Sequence, residues 1–274
     1  MRRLLKIFVW TAVAAIGAVL LYCAGRVFLL DSFIVGGDSM EPALHRGQKV
    51  YVNKMLLGPR IYTDYDFSSP DMHCFRIRGF RSMRPGDVAV FNYPYARSRD
   101  TVSFRINHVY VKRCIGAPGD SVSIVDGYWR NSRCTGTIGC EEYQKILSET
   151  PDSVLAVQGV VLDASQVDRS GGWTIRSFGP CYVPRKGDRI EMTEENWRQY
   201  RRLIQYETGS SPCIVDGQVC LDGKPLESYA FRGNYYFFGG DNVLNSRDSR
   251  YIGLVPEAYV VGIVAGGKDN KQIL

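Results

Sequence analysis

Residues 107–116 read N-H-V-Y-V-K-R-C-I-G and run into the turn G-A-P-G-D at 116–120. The stretch is rich in β-branched and aromatic residues and ends at turn chemistry, so it is a strand. Its period of two puts Val109, Val111 and Ile115 on one face and Tyr110, Lys112 and Cys114 on the other. A lysine inside such a strand is unexpected. Either it guards a sheet edge against aggregation, or it sits in an apolar pocket that favours the neutral amine.

Working outward, the same signals recur. Val50-Tyr51-Val52 is short and β-prone, and residues 87–93 follow the turn Arg84-Pro85-Gly86. Residues 121–125 and 127–130 form a hairpin around Asp126-Gly127, and residues 235–238 and 259–265 complete the set. Only Thr193 to Tyr206 reads as helical: Thr193 caps it, and Trp197, Tyr200, Leu203 and Ile204 share one face. There is no βαβ alternation and no internal repeat. The expected fold is mainly β, an irregular antiparallel sheet or barrel-like core. The stretch 134–220 is richer in charge, Gly and Ser and carries the helix. It reads as an inserted cap, leaving 31–133 and 221–274 as the β-rich core.

The N-terminus has its own character. Arg2, Arg3 and Lys6 precede a run from Ile7 to Gly25 that holds no charge. That run is long enough to span a hydrocarbon core of about 30 Å as a helix. A cleavable secretory signal is the rival, but no clear A-x-A site follows, and bulky Tyr22 before Cys23 argues against a lipoprotein. Residues 1–30 are therefore expected to be a basic tip and an uncleaved, single-pass anchor in the lipid bilayer. The cations before the run outnumber the single Arg26 directly after it. This puts the N-terminus in the cytoplasm and the body on the extracytoplasmic side of an inner membrane.

Composition narrows the partners. The 274-residue chain carries a net charge of +6, and its densest basic cluster, 197–202, reads as a solvated helix face. No nucleic-acid partner is expected. The eight cysteines include no Cys-x-x-Cys pair, and His45, His73 and His108 are scattered. No metal and no cofactor are expected. Cys134 and Cys140 bracket T-G-T-I-G, and Cys213 and Cys220 flank I-V-D-G-Q-V. Both are candidate disulfide pairs in an oxidising compartment.

Residues 36–42, G-G-D-S-M-E-P, hold one serine among small neighbours. Alone this is ordinary turn chemistry. A serine nucleophile needs a base within hydrogen-bond reach. None of the histidines sits in a recognisable motif, and Lys112 is the other option.

Four segments in order resemble the blocks of type I signal peptidases, the Ser/Lys dyad leader peptidases of bacteria. They are G-G-D-S-M-E-P-A-L-H-R-G-Q-K-V-Y-V-N-K, R-P-G-D-V-A-V-F-N-Y-P, V-Y-V-K-R-C-I-G-A-P-G-D-S-V and G-G-D-N-V-L-N-S-R-D-S-R-Y-I-G-L-V-P-E-A-Y-V-V-G. The resemblance implies that Ser39 is the nucleophile and Lys112 the general base. It implies that Ser246 orients the lysine and that Asp248 and Arg250 form a supporting ion pair. Asp241 and Asn242 are expected to shape the same loop. Phe33, Val35, Met40, Leu44 and Val111 fall at pocket-lining positions for small residues at −1 and −3 of the substrate. That substrate is expected to add as a strand between 33–37 and 108–112.

Three departures stand out. Gly37 replaces a serine that many members use as a second oxyanion donor. Gly239 replaces a bulky residue, and Val243 stands where a basic one is frequent. The expected activity is removal of signal peptides from exported preproteins by acyl transfer. The alternatives are a leader peptidase restricted to pilins or conjugation, and a catalytically silent, membrane-tethered peptide-binding module.

Overall fold

Seven strands form one antiparallel sheet in the order Leu30–Ile34, Lys49–Asn53, Val260–Ala265, Val88–Asn92, Val109–Gly116, Tyr235–Gly239 and Val255–Pro256. They belong to a computed structural model that describes residues 2–98, 100–164 and 172–265. The fold is mainly β, as the strand patterns imply. The sheet curls as a half-barrel, so that residues 33–39 and 108–112 line one cleft. Two free edges face this cleft. Leu30–Ile34 is a terminal strand, and the first half of Val109–Gly116 is unpaired on one side, because Tyr235–Gly239 joins it only from Arg113 onward.

Turn chemistry sets the hairpins. Ser121–Val125 pairs with Tyr128–Asn131 across Asp126 and Gly127, whose φ values are 52° and 85°. Cys213–Val215 pairs with Gln218–Leu221 across Asp216 and Gly217, at 50° and 79°. Two positive φ values in a row are what a tight two-residue hairpin demands, and Asp-Gly supplies them. Phe178–Tyr182 adds to the first hairpin through Ser121–Val125, and Arg189–Glu191 pairs with Ser228–Ala230.

The long helix of the 134–220 stretch spans Glu194–Thr208. Thr193 Oγ1 accepts from the Asn196 amide at 3.1 Å, and Gly209 closes the helix at φ 79°. Tyr200, Leu203 and Ile204 are buried, while Trp197 is half-buried with its Nε1 donating to the Pro212 carbonyl at 2.8 Å.

Reading a single helix in the body was too sparse. Glu141–Glu149, Asp152–Val157 and Ser249–Ile252 are helical as well. They bury few residues, Gln144 and Leu147 in the first and Leu155 alone in the second. So little apolar periodicity is lost among neighbouring turns. The two candidate disulfides also differ, since all eight cysteines are free thiols. Cys134 is drawn into a bridge with Asn131 while Cys140 opens the helix Glu141–Glu149. Cys213 lies opposite Cys220 in register, yet Cys213 is exposed and the Cys220 thiol turns to the Gln218 carbonyl at 3.7 Å.

The N-terminal helix runs Arg2–Phe28 with a peak mean hydropathy of 2.3 and no buried residue. Its 27 residues reach about 40 Å at ~1.5 Å per residue. It is long and apolar enough to cross a membrane. Its base is tied to the sheet by Asp31, which pairs with Arg26 at 2.5 Å and Lys54 at 3.0 Å.

Ile204 is fully buried in the cluster that joins the long helix to Phe231, Tyr235 and Phe237. Ile204→Ala is expected to lower stability by about 3 kcal/mol. Urea unfolding followed by tryptophan fluorescence checks this as a lower midpoint with an unchanged slope.

Candidate active site

Lys112 lies on the half-paired strand with only 4% of its surface exposed, and its Nζ donates to Ser39 Oγ. Burial comes first among the influences on the amine and pulls it down, Asp248 raises it, Arg250 lowers it and Asp241 raises it. The outcome is a pKa of about 8. The Tyr110 ring flanks Nζ at 5.4 Å. Ser39 is half-buried on the turn after the first strand, and among the described residues its amide N–H donates to no other group. Gly37 faces open space, so a larger side chain fits there.

The last sequence block builds the wall behind these two groups. Asn242 N–H donates to the Ser39 carbonyl at 3.1 Å, and its Nδ2 donates to the Asp38 carbonyl at 3.4 Å. Asp241 accepts from Arg113 Nε at 2.7 Å and Nη2 at 2.6 Å, a buried bidentate pair. Arg113 follows Lys112 directly and also donates to the Gly86 carbonyl at 2.8 Å. One loop thus grips the serine turn and the lysine strand together. Sequence reading assigned Asp241 to this loop but missed Arg113, which lies 128 residues away in the chain.

Asp248 and Arg250 are both 0% exposed and pair through two contacts of 2.8 Å. Burial alone would raise the Asp248 carboxyl, but the charge and hydrogen bonds of Arg250, with the Gly240 amide, hold it below its usual value. The Gly240 N–H donates to Asp248 Oδ2 at 2.9 Å, and the Arg250 guanidinium lies 5.3 Å from the Trp129 ring. Ser249 Oγ accepts from Phe238 N–H at 2.9 Å, a support for which the chain carries no separate sequence signal. Ser246 is 8% exposed; its Oγ lies close enough to Asp248 to help lower that carboxyl, without a hydrogen bond of full geometry among the described residues.

Glycine is required at Gly240. A Cβ there would fall against the Ser246 side chain and within 2.5 Å of the Ser39 carbonyl oxygen. Gly239 has a parallel reason: a Cβ would meet Ile115 at 2.8 Å and Trp129 at 2.9 Å, so the indole fills that space. Val243 is 2% exposed and belongs to the core.

Phe33, Val35, Met40 and Val111 line a cleft of about 530 Å³ that Ser39 and Lys112 also line. Leu44 is not on that wall. It is buried behind it, in the cluster of Val35, Met40, Val50, Val52 and Val90 that Phe33 and Val111 cover. Among the described residues no cluster of three or more His, Cys, Asp or Glu is arranged to hold a metal ion.

The model of the signal peptidase family, peptidase S26, matches residues 6–164 and 187–266. The protein is a serine peptidase, and the chain belongs to that signal peptidase family. It is 27% identical over 240 residues to a signal peptidase I of Buchnera aphidicola subsp. Acyrthosiphon pisum, covering 86% of this chain and 67% of that one. It is 25% identical over 247 residues to a signal peptidase I of Pseudomonas aeruginosa, covering 86% of this chain and 64% of that one. The chain thus spans about two thirds of the length of these relatives. A solved signal peptidase I from Enterococcus faecalis V583 aligns at 17% identity and a TM-score of 0.31, covering 66% of this chain and 96% of that one.

Gly240→Ala is expected to cut peptidase activity at least 10²-fold by pushing apart the Ser39 turn and Ser246. Peptide cleavage alongside a thermal melt checks this, with the melt shifting far less than the activity.

Proposed function

We propose that the protein removes signal peptides from exported preproteins, with Ser39 as nucleophile and Lys112 as general base. The observation that carries this reading is the buried Lys112 amine in hydrogen-bond contact with the Ser39 hydroxyl. Neutral Lys112 takes the Ser39 proton as Oγ attacks the scissile carbonyl. The ammonium then protonates the leaving amine, which departs as the new N-terminus and leaves an ester on Ser39. Water, deprotonated by the same lysine, hydrolyses that ester and restores the serine. The Ser39 N–H is the donor for the oxyanion, in a site where such donors are worth several kcal/mol.

The substrate enters as an extended strand between the free edges at 33–37 and 108–112. Alternate side chains, at −1 and −3, turn toward the apolar wall of Phe33, Val35, Met40 and Val111. That wall admits small residues and rejects large ones by clash. Ser246, Asp248 and Arg250 keep the lysine strand and the serine turn in register. Residues 1–30 anchor the enzyme with the N-terminus cytoplasmic, so that the cleft stands where signal peptides emerge from the bilayer.

Cleavage of a preprotein by the full chain in detergent tests the proposal. Ser39→Ala and Lys112→Ala are expected to lose roughly 10⁴-fold or more in rate while keeping the wild-type fold by circular dichroism. Full activity in Lys112→Ala removes the dyad. A wild-type protein that binds signal peptides without cutting them is instead a binding module. The pH profile is a separate test. The amine must be neutral to act, so kcat/KM is expected to rise with pH and level off above about 8. Below that value it falls about tenfold per unit, and a flat profile from pH 6 to 8 contradicts the role of Lys112.

A further inference from the structure

The cleft holds a charge that the chemistry above does not use. Arg247 is exposed between the buried Ser246 and Asp248 and lines the cleft. Its guanidinium lies 5.9 Å from the Tyr93 ring. Tyr93 in turn stacks on Tyr110 at 4.8 Å and packs against His108 at 4.9 Å. Among the described residues no carboxylate pairs with Arg247. The other charged side chains on the cleft wall are Arg46, Asp38, which adjoins Ser39 in the chain, and Lys112, whose Nζ lies 5.4 Å from the Tyr110 ring. Burial, Arg105 and then Arg247 lower the His108 pKa, so the imidazole is neutral at pH 7.

Strand geometry says which substrate residue meets Arg247. Val109 and Val111 pack with Phe33 against the valine-rich wall, whereas Tyr110 packs on the opposite face with Tyr93. A peptide added beside this strand alternates in the same way. If −1 and −3 face the valine wall, −2 faces Tyr110 and the guanidinium above it. We propose that Arg247 is a specificity residue that selects an acidic side chain at −2 of the substrate. The tyrosine wall removes part of the water around the ion pair, which strengthens it relative to a fully exposed one. This inference rests on the peptidase reading above.

The test uses the full-length enzyme and three preproteins that differ only in carrying Glu, Ala or Lys at −2. The wild type is expected to favour Glu over Lys by about fivefold in kcat/KM, as attraction and repulsion at a partly exposed pair add. The ratio is expected to shrink toward one as salt rises from about 0.05 M to about 0.5 M. Arg247→Ala flattens it, Arg247→Glu inverts it and Arg247→Lys retains it. Equal rates for the three substrates in the wild type, or a ratio unchanged in Arg247→Glu, overturns the proposal alone. A wild type that cleaves none of the three overturns both this proposal and the peptidase reading.

Discussion

One amine, stripped of water while touching a serine hydroxyl, sets the conditions that the rest of the site meets. A lysine in water holds its proton until about pH 10.4, and a protonated amine is no base. Burial brings Lys112 down to about 8. The strand that carries it is open on one side along the cleft. Its two halves therefore differ: Arg113–Gly116 is paired with Tyr235–Gly239, and the cleft-facing half is free.

Holding the Ser39 hydroxyl against the Lys112 amine takes rigidity in the segments that carry them. The pairs Arg113–Asp241 and Asp248–Arg250 are both buried. Buried ion pairs add little net stability, because desolvation offsets their attraction. Their value here is geometric. Each has two hydrogen bonds of fixed direction, and removing one partner would strand a charge in the core. Gly240 sits where the two systems meet, with its amide on Asp248 and its Cα against Ser246 and Ser39. The departures at Gly239 and Val243 fit the same frame. Trp129 occupies the volume a bulky residue would need, and the arginine beneath it lies against the indole face.

Local physics made much of this legible before any coordinates. β-prone runs gave five of the seven sheet strands, Asp-Gly gave two hairpins, and Thr193 opened the long helix, which runs two residues past the expected Tyr206. The chain also placed Lys112 on a strand face with Tyr110 and Cys114, because alternation is a property of the backbone. Glu141–Glu149 and Asp152–Val157 escaped because they bury two residues and one, too few to leave a period, and Ser249–Ile252 is a single turn. Leu44 shows a subtler limit: its type suits a pocket wall or the layer behind it equally, and only packing separates the two.

Sequence by itself determined the kinds of groups available: a serine on a small-residue turn, a lysine in a strand, an apolar N-terminal helix and a serine-aspartate-arginine block. Tertiary structure decided that residues 39 and 112 meet, that residues 113 and 241 clamp the loop between them, and that the lysine is dry. The reason is that hydrogen-bond contact and burial arise between segments far apart in the chain. Curling a sheet brings them together, and no local pattern records the distance that results.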